Sequence, residues 1–316
     1  MLNRILKFYT RYFTIWVVLF AVIAYLYPSP FTSMESYTEW FFALTMFGIG
    51  AVLSPEDFKR VLIRPLIVLI GSGAQFTIMP LGAFAVAKIF NLPSELAVGL
   101  ILTGSAPGAM ASNVMSYLAK ADPAYSVSLT TVSTLLCPIL TPGLTFLLAG
   151  SVLQVGFWVM VLSIVKMVIV PLFIGFGIRQ ILKEKIEKLF EIFPAISVTF
   201  IIFICALVIA KNREYLKEVT GIILVVVIVL NLWGTVAGYS VGKLFKMNIS
   251  RRRTLAIEIG MQNAGLGTVL ALKHFGQKAA LPATVFVFVC IITASALSAV
   301  WQRQDNHKYS NVSKSI

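Results

Sequence analysis

Glu258 sits inside "IEIGMQNAGLGT" (257–268), followed by Gln262 and Asn263 and interleaved with three glycines, with apolar runs on both sides. The other twelve acidic residues fall in polar stretches, at the ends of apolar runs or near the C-terminus. An ionised carboxylate deep in a bilayer costs on the order of 3 kcal/mol, so this group must be protonated, paired or bound to a cation. No Lys or Arg shares its helical face, and Arg251 lies seven residues back. A hard cation takes about six oxygen ligands. The candidate side-chain oxygens are Gln75, Ser112, Asn113, Ser126, Thr130, Glu258 and Gln262, with backbone carbonyls at Ile259 and Met261. Ser126 and Thr130 are four apart and share one helix face.

The elements that must position these groups are membrane helices. The chain is 58% hydrophobic and 12% charged, with a mean hydropathy of +0.89, outside the range of soluble domains. Apolar runs recur along all 316 residues. They are continuous and do not alternate, which excludes a β-barrel. The expected fold is all-α and polytopic, with ten spans over 12–28, 37–54, 64–90, 95–120, 123–149, 156–180, 193–210, 220–243, 252–275 and 281–301. The net charge of +13 does not point to nucleic acid, because the basic residues lie in short loops. With the N-terminus inside, cytoplasmic segments hold nineteen Lys and Arg residues, among them Arg4, Lys7, Arg11, Lys183, Lys185 and Lys188, and outer segments hold six. Both termini are therefore expected in the cytoplasm, in a cell inner (plasma) membrane.

Cys137, Cys205 and Cys290 fall in apolar segments without metal-ligand spacing and read as packing residues. The first apolar run lacks the cleavage site of a signal peptide. Residues from Gln302 onward read as a polar, disordered tail. Trp40, Trp158 and Trp301 read as interfacial anchors, and Pro171 as the site of a kink.

Two halves of the chain match weakly at a separation of about 155 residues, Gln75 answering Asn231. Five spans separate them, so the second half is inverted relative to the first. Inverted repeats are the architecture of secondary transporters. The fourth and ninth spans contain "TGSAPGAMASN" (103–113) and "GMQNAGLGT" (260–268), which no regular helix accommodates well. Unwound backbone at bilayer depth survives where protein or a cavity satisfies it. Small residues can also serve close helix packing, but packing does not call for Asn, Gln or Glu beside them.

The stretches "AQFTIMP" (74–80), "GAMASNVMSYLAKADPAYSVSLTTVSTLLCPILTP" (108–142) and "LAIEIGMQNAGLGTVLA" (255–271) resemble the bile acid:sodium symporter family. The resemblance implies two inverted repeats, 1–150 and 151–303, followed by a cytoplasmic tail, 304–316. It implies a core domain from spans 3–5 and 8–10 and a panel domain from spans 1, 2, 6 and 7. It implies two Na⁺ sites. One consists of Ser112, Asn113, Ser126, Thr130 and Glu258; the other of Gln75, Glu258 and Gln262 with the carbonyls of Ile259 and Met261. On the substrate side it points to Met110, Ala111, Asn263, Cys290 and Ile291. There the chain departs from the polar Trp-His-Asn stretch of bacterial bile-acid-binding relatives, having Val289, Cys290 and Ile291, so a bile acid is not the expected substrate.

The function expected on these grounds is Na⁺-coupled symport of a small organic anion, a carboxylate for preference, by a monomeric protein in the lipid bilayer. The alternative is a cation/proton antiporter with Glu258 as protonatable carrier. Catalysis is not expected, since His274 and His307 have no evident partner in the sequence. Lys166 either snorkels to an interface or faces the anion.

Overall fold

The computed structural model describes residues 6, 8–10, 12–150, 155–182 and 192–314, which are helical apart from connections and one isolated β-bridge. Arg4, Lys7, Arg11, Lys183, Lys185 and Lys188, used above for orientation, lie outside the described residues. In chain order the helices are α1 (Phe13–Leu26), α2 (Ser29–Thr32), α3 (Thr38–Val52), α4 (Pro55–Ile63) and α5 (Pro65–Ile89). Then come α6 (Ser94–Gly104), α7 (Ala111–Leu118), α8 (Pro123–Ala149), α9 (Phe157–Leu182) and α10 (Phe193–Lys211). The chain ends with α11 (Arg213–Leu244), α12 (Ile249–Gly260), α13 (Ala264–His274) and α14 (Gln277–Lys314).

Among the described residues, five helices are long and apolar enough to cross a membrane: α5, α8, α9, most of α11 and α14 as far as Asp305. A segment ending in α3 makes a sixth candidate together with α4, from which it is bent by 73°. The spans expected over 95–120 and 252–275 are each divided, into α6 and α7 and into α12 and α13. Each piece has 8 to 12 residues, well below the ~20 that a bilayer requires.

Local sequence fixes the helix ends. Asp122 Oδ1 accepts from Tyr125 N at the start of α8, where Pro123 occupies the first helical position. Ser54 and Asp57 form a capping box on α4. α5, α7 and α11 all close with a left-handed residue, Asn91, Lys120 and Lys246. The next N–H in each case reaches back to the carbonyl of Ala87, Ser116 or Gly242, which is the Schellman arrangement.

α5, α6, α8, α11, α12 and α14 pack against one another, while α1, α3, α9 and α10 form a second neighbourhood. In lipid, helix association depends on close van der Waals fit and not on expulsion of water. Gly50 and Gly175 provide that fit between α3 and α9: a Cβ on Gly50 would strike the Leu172 carbonyl, and one on Gly175 the Phe47 carbonyl. Pro171 does not simply kink α9. The turn before it, Val165–Ile169, widens to a π-helix, a standard way to absorb a disrupted hydrogen-bond ladder. Lys166 lies on that turn with an exposed side chain.

The expectation of a disordered tail from Gln302 onward is corrected at its start. α14 runs on past the apolar run, and residues as far as Asp305 are bound to distant ones. Asp305 makes a two-pronged ion pair with Arg253, at 2.7 and 2.9 Å. Arg253 is 6% exposed, donates to the Ala119 carbonyl at 3.4 Å and stacks 5.4 Å over the Trp301 ring. Trp301 is thus a half-buried partner of Arg253 and not a plain interfacial anchor. Gln302 donates to the Leu118 carbonyl at 2.5 Å. Asp305→Ala leaves the Arg253 guanidinium without its counter-charge. It is expected to destabilise the protein by about 2 kcal/mol, read as a lowered melting temperature in detergent.

Candidate cation site

The two interrupted helices meet backbone to backbone. Gly108 and Gln262 form an antiparallel bridge. Ala109 N–H donates to the Met261 carbonyl at 2.9 Å, and Asn263 N–H donates to the Pro107 carbonyl at 2.7 Å. Each break thereby satisfies groups freed by the other, as backbone away from water must. α6 and α12 bring their C-terminal, partially negative ends to this crossing. α7 and α13 begin there, with their partially positive ends.

Glu258 lies in the last turn of α12 and is 2% exposed. Its Oε2 accepts from Ser112 Oγ at 2.5 Å and from Ser126 Oγ at 2.8 Å, and its Oε1 accepts a short bond from Thr130 Oγ1. The same hydroxyls have other acceptors in reach. Ser112 Oγ is 2.6 Å from the Ala109 carbonyl, and Thr130 Oγ1 is 3.0 Å from the Ser126 carbonyl and 3.3 Å from Asn113 Oδ1. A hydroxyl has one proton and two lone pairs, so each of the three can give its proton to Glu258 or a carbonyl and still offer oxygen lone pairs, beside the carboxylate and Asn113 Oδ1, to a hard cation. Among the described residues no group of three or more His, Cys, Asp or Glu could hold a metal ion, so the donor set is one of mostly neutral oxygens. Gly108 leaves room beside it: a Cβ there would lie 2.5 Å from Glu258 Oε1, so the carboxylate would have to shift.

A second polar group lines the other side of the break. Gln75 Nε2 donates to Gln262 Oε1 at 2.7 Å, and Gln262 Nε2 donates to the Ile259 carbonyl at 2.9 Å. Asn231 Nδ2 donates to the Gly260 carbonyl at 2.8 Å. The carbonyls of Ile259, Gly260 and Met261 therefore each have a donor. Gln75 Oε1 and Asn231 Oδ1 are buried without a hydrogen-bond partner.

The structure thus brings Ser112, Asn113, Ser126, Thr130 and Glu258 into one cluster, and Gln75, Gln262, Ile259 and Met261 into another along the same break. Of the residues marked for substrate, Met110 precedes α7 and lines a small cavity with Phe58, Thr131, Thr134 and Leu172, while Ala111 is exposed. Asn263 caps α13, its Oδ1 accepting from Leu266 N at 3.1 Å. Cys290 is buried and Ile291 half-buried. The three cysteines are free and buried. Two neighbours of the site escaped the sequence reading. Ser133 Oγ accepts from Gly108 N at 3.3 Å and donates to the Thr130 carbonyl at 3.1 Å; its place one turn beyond Ser126 and Thr130 was a readable signal. Asn231 was matched to Gln75 but not assigned to the site.

Residues 40–219 match the sodium bile acid symporter family. Over 317 aligned residues the chain is 40% identical to the sodium-dependent transporter YocS of Bacillus subtilis, covering 99% of each protein. It is 33% identical to Arabidopsis thaliana BASS1, a chloroplastic protein named as a probable sodium/metabolite cotransporter, over 92% of this chain and 73% of that one. The similarly named BASS2 of Oryza sativa subsp. japonica is 34% identical, over 96% and 73%. The oxygen cluster, the crossed helices and these similarities agree: the chain belongs to the sodium bile acid symporter family, as a membrane transporter and not an enzyme.

Proposed function

We propose that the protein is a Na⁺-coupled symporter of a small organic anion working by alternating access. The observation that carries this reading is the convergence of the neutral oxygens of Ser112, Ser126, Thr130 and Asn113 on buried Glu258. One Na⁺ takes Ser112, Asn113, Ser126, Thr130 and Glu258. A second takes Gln75, Gln262 and Glu258 with the carbonyls of Ile259 and Met261. Two Na⁺ and one carboxylate leave a charge of +1, which a monoanion cancels, so the loaded protein moves without net buried charge. The N-termini of α7 and α13 offer positive potential to a carboxylate. The anion's place is on the crevice side of α7, near Met110, Ala111 and Asn263, with Cys290 and Ile291 behind.

The architecture proposed is ten spans in two inverted repeats, with a core of α5–α8 and α11–α14 and a panel of α1, α3, α9 and α10. Matching positions support it. The left-handed caps Asn91 and Lys246 are 155 apart, as are the first residues of α6 and α12, Ser94 and Ile249. The two sides of the crevice differ. α13 packs against α3, α9 and α10, and its end is tied there by Lys273 to Glu39 at 2.6 Å and His274 Nε2 to Ser163 Oγ at 3.1 Å. On α7, Ala111, Val114 and Tyr117 are exposed. With the orientation set by the basic residues, this is a state open to the cytoplasm.

In proteoliposomes, an inward Na⁺ gradient is expected to drive uptake of one member of a panel of small carboxylates, and a K⁺ gradient is not. Na⁺ flux driven by a pH gradient without any organic substrate would favour the antiporter instead. Glu258→Ala is expected to reduce Na⁺-driven uptake to background while the purified protein keeps its helical signal and elution position. Gly108→Ala, which crowds Oε1, is expected to weaken Na⁺ binding by about tenfold, equivalent to ~1.4 kcal/mol, measured as the half-saturating Na⁺ in a thermal-shift titration.

A further inference from the structure

Asn231 on α11 is 1% exposed, and its two polar atoms fare differently. Nδ2 donates to the Gly260 carbonyl at 2.8 Å, whereas Oδ1 is buried with no hydrogen-bond partner. Gln75 on α5 shows the same division, Nε2 bonded to Gln262 and Oε1 unpaired. Holding the Gly260 carbonyl needs only the N–H. It gives no reason for a buried oxygen, which without a partner is a liability in a membrane interior.

The two unpaired oxygens belong to side chains that reach the same break from opposite neighbours, Gln75 through Gln262 and Asn231 through Gly260. The face of α11 bearing Asn231 lies directly against this backbone: a Cβ on Gly234, three residues on, would sit 2.9 Å from the Ile259 carbonyl oxygen. Gln75 and Asn231 also lie 156 apart in sequence, within one residue of the 155 that separates the caps Asn91 and Lys246.

We infer that Asn231 is a further Na⁺ ligand of this transporter, giving Oδ1 to the cation beside the α12–α13 break while Nδ2 holds the Gly260 carbonyl. This rests on the function proposed above and adds to it a ligand from α11. Gln75 then contributes from the first half of the chain and Asn231 from the second, so the ion ties α5 and α11 to the crossing.

The test uses the purified full-length chain, with melting temperature followed through Na⁺ titrations against a K⁺ background. The wild type, Asn231→Leu and Asn231→Asp are compared. Leucine removes both functions, whereas an aspartate keeps an oxygen and loses the N–H. Asn231→Leu is expected to raise the half-saturating Na⁺ by at least about tenfold and to lower the Hill coefficient towards one. Asn231→Asp is expected to stay within about threefold of wild type. Equal losses in both variants would show that Asn231 only holds Gly260, and an unchanged Na⁺ response in Asn231→Leu would exclude it from the site; either result overturns the inference alone. Should Asn231→Leu not fold, Asn231→Ser, too short to reach both partners, takes its place against the same outcomes. A wild type that Na⁺ stabilises no more than K⁺ does would instead overturn the proposed function, and this inference with it.

Discussion

Backbone that leaves a helix inside a membrane has to find hydrogen bonds in protein, and here two such lengths of backbone find them in each other. Pro107 and Ala109 on one side and Met261 and Asn263 on the other exchange two bonds of 2.7 and 2.9 Å. Neither break is tolerable alone. The crossing fixes where α6, α7, α12 and α13 begin and end, and therefore which helix ends face one another. The glycines belong to the same constraint, since at Gly108 even a methyl group would meet the Glu258 carboxylate.

The electrostatics follow from the crossing. Glu258 occupies the last turn of α12, where the carbonyls lack regular intrahelical partners and the potential is negative. A carboxylate is poorly placed there by itself. Three hydroxyls from α7 and α8 converge on it, but they are neutral and bring no countercharge. A cation supplies that charge and can use the hydroxyl lone pairs, which is why the reading as an ion site is stronger than any one hydrogen bond in it. Because Ser112 belongs to α7, Ser126 and Thr130 to α8, and Glu258 to α12, an ion held by all four joins elements of both halves of the chain. Coupling between ion and anion would follow by linkage, each ligand stabilising the arrangement the other requires.

The breaks and the first oxygen cluster were legible in the sequence because their signals are local. Gly, Pro, Asn and Gln interrupt apolar runs at 103–113 and 260–268, and the helices do end at Gly104 and Gly260. Ser126 and Thr130 declared their common face by a spacing of four. What escaped depends on distant partners. The tail looked disordered by composition, but the Arg253–Asp305 pair spans 52 residues of sequence. Pro171 announced a disturbed hydrogen-bond ladder in α9, but not that the turn before it would widen to a π-helix. Asn231 was visible as the counterpart of Gln75, but only the structure shows that both amides leave an oxygen unpaired.

The internal repetition proposed above would let one scaffold offer its site to two sides of a membrane. The corresponding pieces α7 and α13 have similar lengths, 8 and 11 residues, and both start at the crossing. Their surroundings differ: α13 is covered by α3, α9 and α10, while α7 exposes Ala111, Val114 and Tyr117. If inverted halves can exchange environments, the opposite state covers α7 and uncovers α13. That exchange requires the contacts at the end of α13, Lys273 with Glu39 and His274 with Ser163, to be individually weak. Exposed ion pairs contribute little to stability, and Glu39 and Lys273 are both substantially exposed. The crossing itself, buried and held by backbone hydrogen bonds, need not open at all. The strong interactions thus sit inside the proposed moving body and the weak ones at its boundary, as rigid-body rocking around a fixed midplane site requires.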